Sequence, residues 1–227
     1  MNTAIIVAAG SGQRFASPQP KQFVPLLGKP LIIHTLERFE ACEAIDEIVL
    51  VLSDEGRQEF AGLSGEYEFA KLRAIVTGGK TRAESVQNGL AELNASTANV
   101  VAVHDAARPL VSADEISRTI AKAGETGAAC LVAEVTDTIK EIDGEHISRT
   151  IDRRILRRAL TPQAFQYDIL RRAFDGADLT GPFTDECSLV ERLGVKIAFV
   201  IGSARNIKVT RPEDLIVAEA LLSAART

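Results

Sequence analysis

Basic charge is in short supply in this 227-residue chain, where 26 Lys and Arg face 31 Asp and Glu for a formal net charge of −5. A non-specific nucleic-acid binder carries an excess of positive charge, so neither DNA nor RNA is expected as a partner. An anionic ligand must instead be gripped by a local cluster of cations. Cysteine is scarce too. Cys42, Cys130 and Cys187 are odd in number, far apart and without metal-ligand spacing, which argues against a disulfide framework or a zinc site and for reduced thiols in a cytoplasmic protein. No apolar run approaches the roughly 18 residues of a membrane helix. The opening MNTAIIVAAGSG has no basic stretch ahead of its short apolar run, so no secretory leader is expected. Neither a Gly-x-Ser-x-Gly elbow nor His-Glu-x-x-His occurs, which leaves serine hydrolase and zinc protease chemistry without support.

What is present is a chain, 46% hydrophobic, that suits one domain over residues 1–227. Short β-branched runs predict strands at Thr3–Ala8, Glu47–Leu52, Leu72–Val76, Asn99–His104, Ala128–Val135 and Val195–Ile201. Several are apolar without alternation, as in a mostly parallel sheet buried on both faces. Capping boxes predict helix starts at Thr81-Arg82-Ala83-Glu84, Ser112-Ala113-Asp114-Glu115 and Thr210-Arg211-Pro212-Glu213. The alternation implies a three-layer, doubly wound α/β fold whose ligands sit beyond the carboxyl ends of the strands. Residues 136–151 break the rhythm. They read as two strands around Asp143-Gly144, a type I′ hairpin signal. The few apolar residues Ile139, Ile142, Ile147 and Ile151 predict a hairpin that needs something to pack on, such as a partner subunit.

The strongest chemical signal is Ala8-Ala9-Gly10-Ser11-Gly12-Gln13-Arg14-Phe15 after the first strand. Its glycines let backbone N–H groups approach phosphate oxygens, although a plain tight turn would also use them. Phe15 stands where a dinucleotide fingerprint needs its third Gly. Arg14 and the following Pro20-Lys21-Gln22 place two cations by the loop, which suits a triphosphate. Gly79-Lys80-Thr81 imitates the end of a Walker A motif, but Ala74 replaces its first Gly. Asp105, in His104-Asp105-Ala106-Ala107-Arg108-Pro109, has two open readings: a carboxylate for Mg²⁺, or a strand-end cap paired with Arg108. His104 reads as a structural hydrogen-bonder, because phosphoryl-type chemistry needs little proton transfer. Arg153, Arg154, Arg157 and Arg158 have helical spacing and read mostly as a solvated face. Lys208 lies between apolar neighbours that would turn it into a cleft or an edge, and as a bare Lys in a strand it carries little weight.

Together these segments resemble the 2-C-methyl-D-erythritol 4-phosphate cytidylyltransferase (IspD) family end to end. The match comprises AAGSGQRF and PKQF within residues 8–23, GGKTRAESVQNGL at 78–90, HDAARP at 104–109 and VTDTIK at 135–140. It continues through TIDR at 150–153, LTPQAF at 160–165, FTDECS at 183–188 and NIKVTRPEDL at 206–215. The resemblance implies a Rossmann-like nucleotidyltransferase fold with a protruding β-hairpin arm that dimerises the protein. It implies transfer of CMP from CTP to methylerythritol phosphate with release of pyrophosphate, using Mg²⁺. Arg14 and Lys21 match the pair that stabilises charge on the attacked α-phosphate, and Arg153 and Lys208 match residues that position the acceptor. Thr138 matches an acceptor contact from the neighbouring subunit's arm. Ala9, Gly10, Ser11, Gly12, Gly79, Arg82, Ser85, Ala106 and Arg108 match the nucleotide site, with Asp105 near Mg²⁺ and the triphosphate. Lys80 departs from the acidic residue that often follows the two glycines, which bears on the base contact. A ribitol-5-phosphate cytidylyltransferase, with the same fold and nucleotide, is the nearest rival, and a non-catalytic nucleotide-binding regulator is the rival of another class.

Overall fold

A computed structural model describes residues 1–10, 15, 19–63, 65–179 and 185–224. In chain order the elements are β1 (Thr3–Ala8), β2 (Pro25–Leu26), β3 (Lys29–Pro30), α1 (Leu31–Glu40), β4 (Glu47–Leu52), α2 (Asp54–Gly62), β5 (Leu72–Thr77), α3 (Arg82–Ala91) and β6 (Val100–Asp105). There follow α4 (Ala113–Thr126), β7 (Ala128–Glu134), β8 (Ile139–Asp143), β9 (His146–Ile151), β10 (Arg157–Gln166), α5 (Tyr167–Phe174), α6 (Glu186–Glu191), β11 (Ala198–Ile201) and α7 (Pro212–Ser223). The main sheet has seven strands in the order β11-β7-β10-β6-β1-β4-β5. All its pairings are parallel except those of β10, which runs antiparallel to β6 and β7.

Both faces of the sheet are covered at its centre, which is why strands such as β1, β4 and β7 read as apolar runs without alternation. Ile6, Leu50 and Ala102 face one layer, with Ile32, Leu36 and Phe39 of α1 and Ile116 and Ile120 of α4. Their neighbours Ile5, Val51, Val101 and Val103 face the other, with Val86 and Leu90 of α3, Leu170 of α5 and Leu189 of α6. A smaller cluster of Phe15, Leu26, Leu31, Ala107 and Val209 seats α7 through Ala218 and Leu222. The three-layer, mostly parallel α/β architecture is therefore as expected. No helix among the described residues is long and apolar enough to cross a membrane.

Three local readings need correction. First, Arg157 and Arg158 do not lie on a helix face: they open β10, and only Arg153–Ile155 form a single 3-10 turn. Pro162 in mid-run argues against a ladder strand, but it sits where the pairing register of β10 shifts between Ala159 and Gln163. A residue at such an irregularity need not donate to the ladder. Second, the hairpin turn is centred on Gly144-Glu145, since Asp143 pairs with His146. Gly144 has φ 55°, and Leu27 is the only described non-glycine residue with positive φ, so the turn meets the requirement of type II′ rather than I′. Third, the cap of α7 lies one residue later than expected. Arg211 is the N-cap, and Asp214, not Glu213, accepts from the backbone N–H groups of Thr210 and Arg211. The boxes at Thr81/Glu84 and Ser112/Glu115 form as expected.

Candidate active site

The strand order reverses at β1: the chain runs outward through β4 and β5, then returns to lay β6 on the other side. A crevice opens beyond the carboxyl ends of strands at such a switch point. Here it is a cavity of about 350 Å³. Ala8, Ala9 and Gly10 leave β1 into it, and Asp105, Ala106 and Ala107 leave β6 into it. The Gly79–Arg82 segment forms a third wall, while Lys21 and Lys208 enter from loops.

Each wall is held by a specific device. Buried Gln22 donates from Nε2 to Ala8 O at 2.8 Å. This ties the Lys21–Phe23 turn to the end of β1 and leaves Lys21 on the cavity side, where its Nζ donates to Val209 O at 3.2 Å. Gly78 is required by close approach. A Cβ there would lie 2.3 Å from Ala9 Cβ and 2.8 Å from Ser85 Oγ. The same hydroxyl accepts from Gly79 N–H at 3.1 Å and donates to Thr81 O at 2.9 Å. Ala74 lies within β5 and Thr81 caps α3, so the Walker-like tripeptide is a strand-to-helix connection. Exposed Lys80 lines the mouth of the cavity.

Electrostatics centre on Asp105. Its Oδ1 accepts from Arg82 Nε at 3.1 Å, its Oδ2 lies 2.8 Å from Lys208 Nζ, and Arg108 Nε stands 3.6 Å from Oδ2. Burial alone would raise the Asp105 carboxyl, but Arg82, Lys208 and Arg108 outweigh it and hold the group well below the usual carboxylate range. Of the two open readings, the paired strand-end carboxylate is thus present, with two further cations besides Arg108. Asp105 is also the only carboxylate lining the cavity among the described residues. No group of three His, Cys, Asp or Glu side chains able to hold a metal occurs among them.

His104 is fully buried, and burial lowers it to about 3. Arg108 O can only accept, so the hydrogen of the neutral His104 ring sits on Nε2, which donates to it at 3.1 Å. Nδ1 then accepts from Thr161 Oγ1 at 3.0 Å, while that hydroxyl oxygen accepts from Asp105 N–H at 3.2 Å. Both ring nitrogens are spent on structure. Asn206, also fully buried, donates from Nδ2 to Thr161 O at 2.9 Å, and its backbone carbonyl accepts from Arg108 Nη1 at 2.9 Å. Together with the bond from Val209 N–H to Ala107 O at 2.8 Å, this ties down the strand-less segment that aims Lys208 into the cavity.

The structure therefore brings Ala9, Gly10, Lys21, Gly79, Arg82, Ser85, Asp105, Ala106 and Lys208 into one cavity, with Arg108 behind Asp105. It does not bring Arg153 or Thr138 there. Both are exposed at the root of the β8–β9 arm, where Arg153 Nη1 donates to Thr136 O. Ser11, Gly12 and Arg14 lie outside the described residues. Sequence reasoning assigned no role to Gln22, Thr161, Gln163, Glu186 or Asn206. Thr161 and Gln163 stand among apolar residues, and Gln22, Glu186 and Asn206 among polar ones; either setting reads as ordinary until burial is known.

A switch-point cavity of this size, lined by backbone from a glycine-containing loop and, among the described residues, by four cations, defines a nucleotide-binding α/β protein built to hold phosphates. The family model for IspD, 2-C-methyl-D-erythritol 4-phosphate cytidylyltransferase, matches residues 2–224, and the chain belongs to this family. A cytidylyltransferase of that name from Rhodopirellula baltica is 43% identical over 99% of this chain and 96% of its own length. One from Geobacillus thermodenitrificans is 42% identical over 97% and 96%. Among solved structures, the 4-diphosphocytidyl-2C-methyl-D-erythritol synthase of Anaerococcus prevotii superposes with TM-score 0.85 at 29% identity, covering 98% of this chain and 96% of that one. The Thermus thermophilus enzyme does so with TM-score 0.77 at 32% identity, covering 98% and 100%.

Proposed function

We propose that this chain transfers the cytidylyl group of CTP to 2-C-methyl-D-erythritol 4-phosphate and releases pyrophosphate. The family membership carries the reaction. The observation that supports it in the molecule is a cavity with Lys21, Lys80, Arg82 and Lys208 on its walls and, among the described residues, no free acid/base pair. The acceptor's phosphate is already ionised at neutral pH, so its attack on the α-phosphorus requires no general base. His104, neutral and hydrogen-bonded at both nitrogens, fits that reading. Rate enhancement then comes from juxtaposing two anions and neutralising charge as it grows on the α-phosphate. Lys21, with Arg14, is assigned to that charge and Lys208 to the acceptor phosphate. A divalent ion would be held by Asp105 together with phosphates brought by the nucleotide, a set that suits Mg²⁺ better than an all-protein cage. When bound, it neutralises phosphate charge and orients the pyrophosphate to leave.

Arg153 and Thr138 are assigned to the acceptor across a homodimer. Ile142 is 71% exposed and Ile147 65% exposed on the arm, an apolar face that a second copy would cover while delivering both residues to its cavity. Purified protein is to be incubated with CTP, Mg²⁺ and either methylerythritol phosphate or ribitol 5-phosphate, with pyrophosphate as the readout. Release with the first acceptor is expected. Release only with the second, or with neither, overturns the assignment. Sedimentation of Ile142→Glu/Ile147→Glu checks the arm: the substitutions turn a dimer into a monomer, and a monomeric parent protein refutes the arm's role.

A further inference from the structure

Glu186 is a carboxylate that the cavity does not display. It is the first residue of α6, is 1% exposed, and does not line the cavity. Its Oε1 stands 2.5 Å from Arg82 Nη1, while Oε2 is buried with no hydrogen-bond partner among the described residues. Burying a carboxylate is costly, and a half-satisfied one more so. The chain nonetheless holds this one in a fixed place. Gln163 of β10, itself 1% exposed, donates from Nε2 to Asp185 Oδ2 at 2.8 Å and accepts from Cys187 N–H through Oε1 at 3.1 Å. One buried amide thus braces the residues on both sides of Glu186. Asp185 in turn caps α6 through Ser188 N–H at 3.1 Å.

The result is an arginine held from two directions. Arg82 Nε meets Asp105 at the cavity and Arg82 Nη1 meets Glu186 behind it. Asp105, however, is shared with Lys208 and Arg108, and it faces the space where phosphates and their counter-ion would compete for it. Were Asp105 the only anchor, Arg82 would swing toward any triphosphate that drew on the same cations. Glu186 lies out of that competition. We infer that Glu186 is a positioning residue for the nucleotide: it fixes the Arg82 guanidinium from the protein side, so that Arg82 keeps one orientation toward CTP whatever Asp105 engages.

This inference rests on the cytidylyltransferase reading above, and the test separates the two. Steady-state kcat and KM for CTP and for the acceptor are to be measured for the parent, Glu186→Gln, Arg82→Gln and the double variant, with Tm recorded for each. The double variant replaces the ion pair by two neutral amides and keeps the fold accessible. Glu186→Gln is expected to raise KM for CTP at least tenfold and leave the acceptor KM within twofold. Adding it to Arg82→Gln is expected to cost nothing further. A purely structural pair would lower the folded fraction, and so kcat, with both KM values unmoved. That outcome, or losses that multiply in the double variant, overturns the inference. Should Glu186→Gln fail to fold, Glu186→Asp keeps the charge but retracts it, and a CTP KM within twofold of the parent overturns it equally. An inactive parent protein would instead refute the reaction itself.

Discussion

Replacing Asp105 by Asn removes the negative charge that three cations share while keeping shape and one acceptor oxygen. The cost can be apportioned from their surroundings. Arg82 retains Glu186 at 2.5 Å, and Lys208, whose side chain is 36% exposed, can turn to water. Arg108 can do neither. Its side chain is 12% exposed, its Nε lacks a hydrogen-bond partner among the described residues, and its remaining described contact is Asn206 O. Stranding one partner of a buried ion pair costs about 3–5 kcal/mol. The retained amide oxygen and the escape of Lys208 pull the expectation to about 2–4 kcal/mol. At roughly 2–4 °C per kcal/mol for a domain of this size, the melting midpoint should fall by about 5–15 °C. Calorimetry in EDTA measures it without interference from divalent ions. Added pyrophosphate should stabilise Asp105→Asn by more degrees than it stabilises the parent, because the anion supplies the missing charge. A midpoint within about 2 °C of the parent, or equal stabilisation by pyrophosphate, would refute the claim that Asp105 neutralises this cluster.

Lys21→Ala should lower kcat on the order of 10²–10³-fold, the usual loss for one oriented charge at a developing anion, and near-normal kcat in a pyrophosphate-release assay would remove its assigned role. Arg153→Ala should chiefly raise KM for the sugar phosphate, and an unchanged acceptor KM counts against it. Gly78→Ala forces a Cβ into Ala9, so Ala9 must move by more than 1 Å from its 2.3 Å approach to reach ordinary contact; overpacking of about 1–3 kcal/mol should weaken CTP binding tenfold or more by calorimetry. For pH, burial lowers the folded His104 to about 3, so the unfolded chain binds the extra proton first. Its contribution is intact above about pH 6.5 and is lost as pH falls toward 3, at about 1.4 kcal/mol per pH unit. His34, also lowered by burial, acts in the same direction. Urea titrations from pH 6 to 4.5 should show a shallower slope for His104→Asn than for the parent, and equal slopes would contradict the buried neutral imidazole.

Much of the scaffold was legible in sequence because local physics and tertiary context agreed. β1 and β4 begin and end where their β-branched runs do, and Thr81/Glu84 and Ser112/Glu115 cap the helices they announce. Where a local signal met a stronger non-local one, reading failed. Arg157-Arg158 and Pro162 hid β10, whose strand character comes from β6 and β7 on either side of it. Asp143-Gly144 announced the turn one residue early: Asp143 still pairs with His146, which leaves Gly144-Glu145 at the tip of the arm.

The chemistry divides in the same way. The backbone-exposing Gly10, the cations Lys21 and Lys208 and the carboxylate Asp105 belong to short motifs whose residue types already state a taste for phosphate. That Arg82, from a helix start some two dozen residues before Asp105, closes on that carboxylate is another matter. So is the partnership of Arg82 with Glu186, a residue brought from the far end of the chain. Only the packed structure decides such pairings, since burial makes a charge costly and so dictates which distant partner must satisfy it. The sequence by itself determined the class of fold and the kind of ligand. The folding of β6, α3 and α6 around one crevice decided which cations are held, by what, and which residues, Arg153 and Thr138 among them, stand outside the cavity of a single chain.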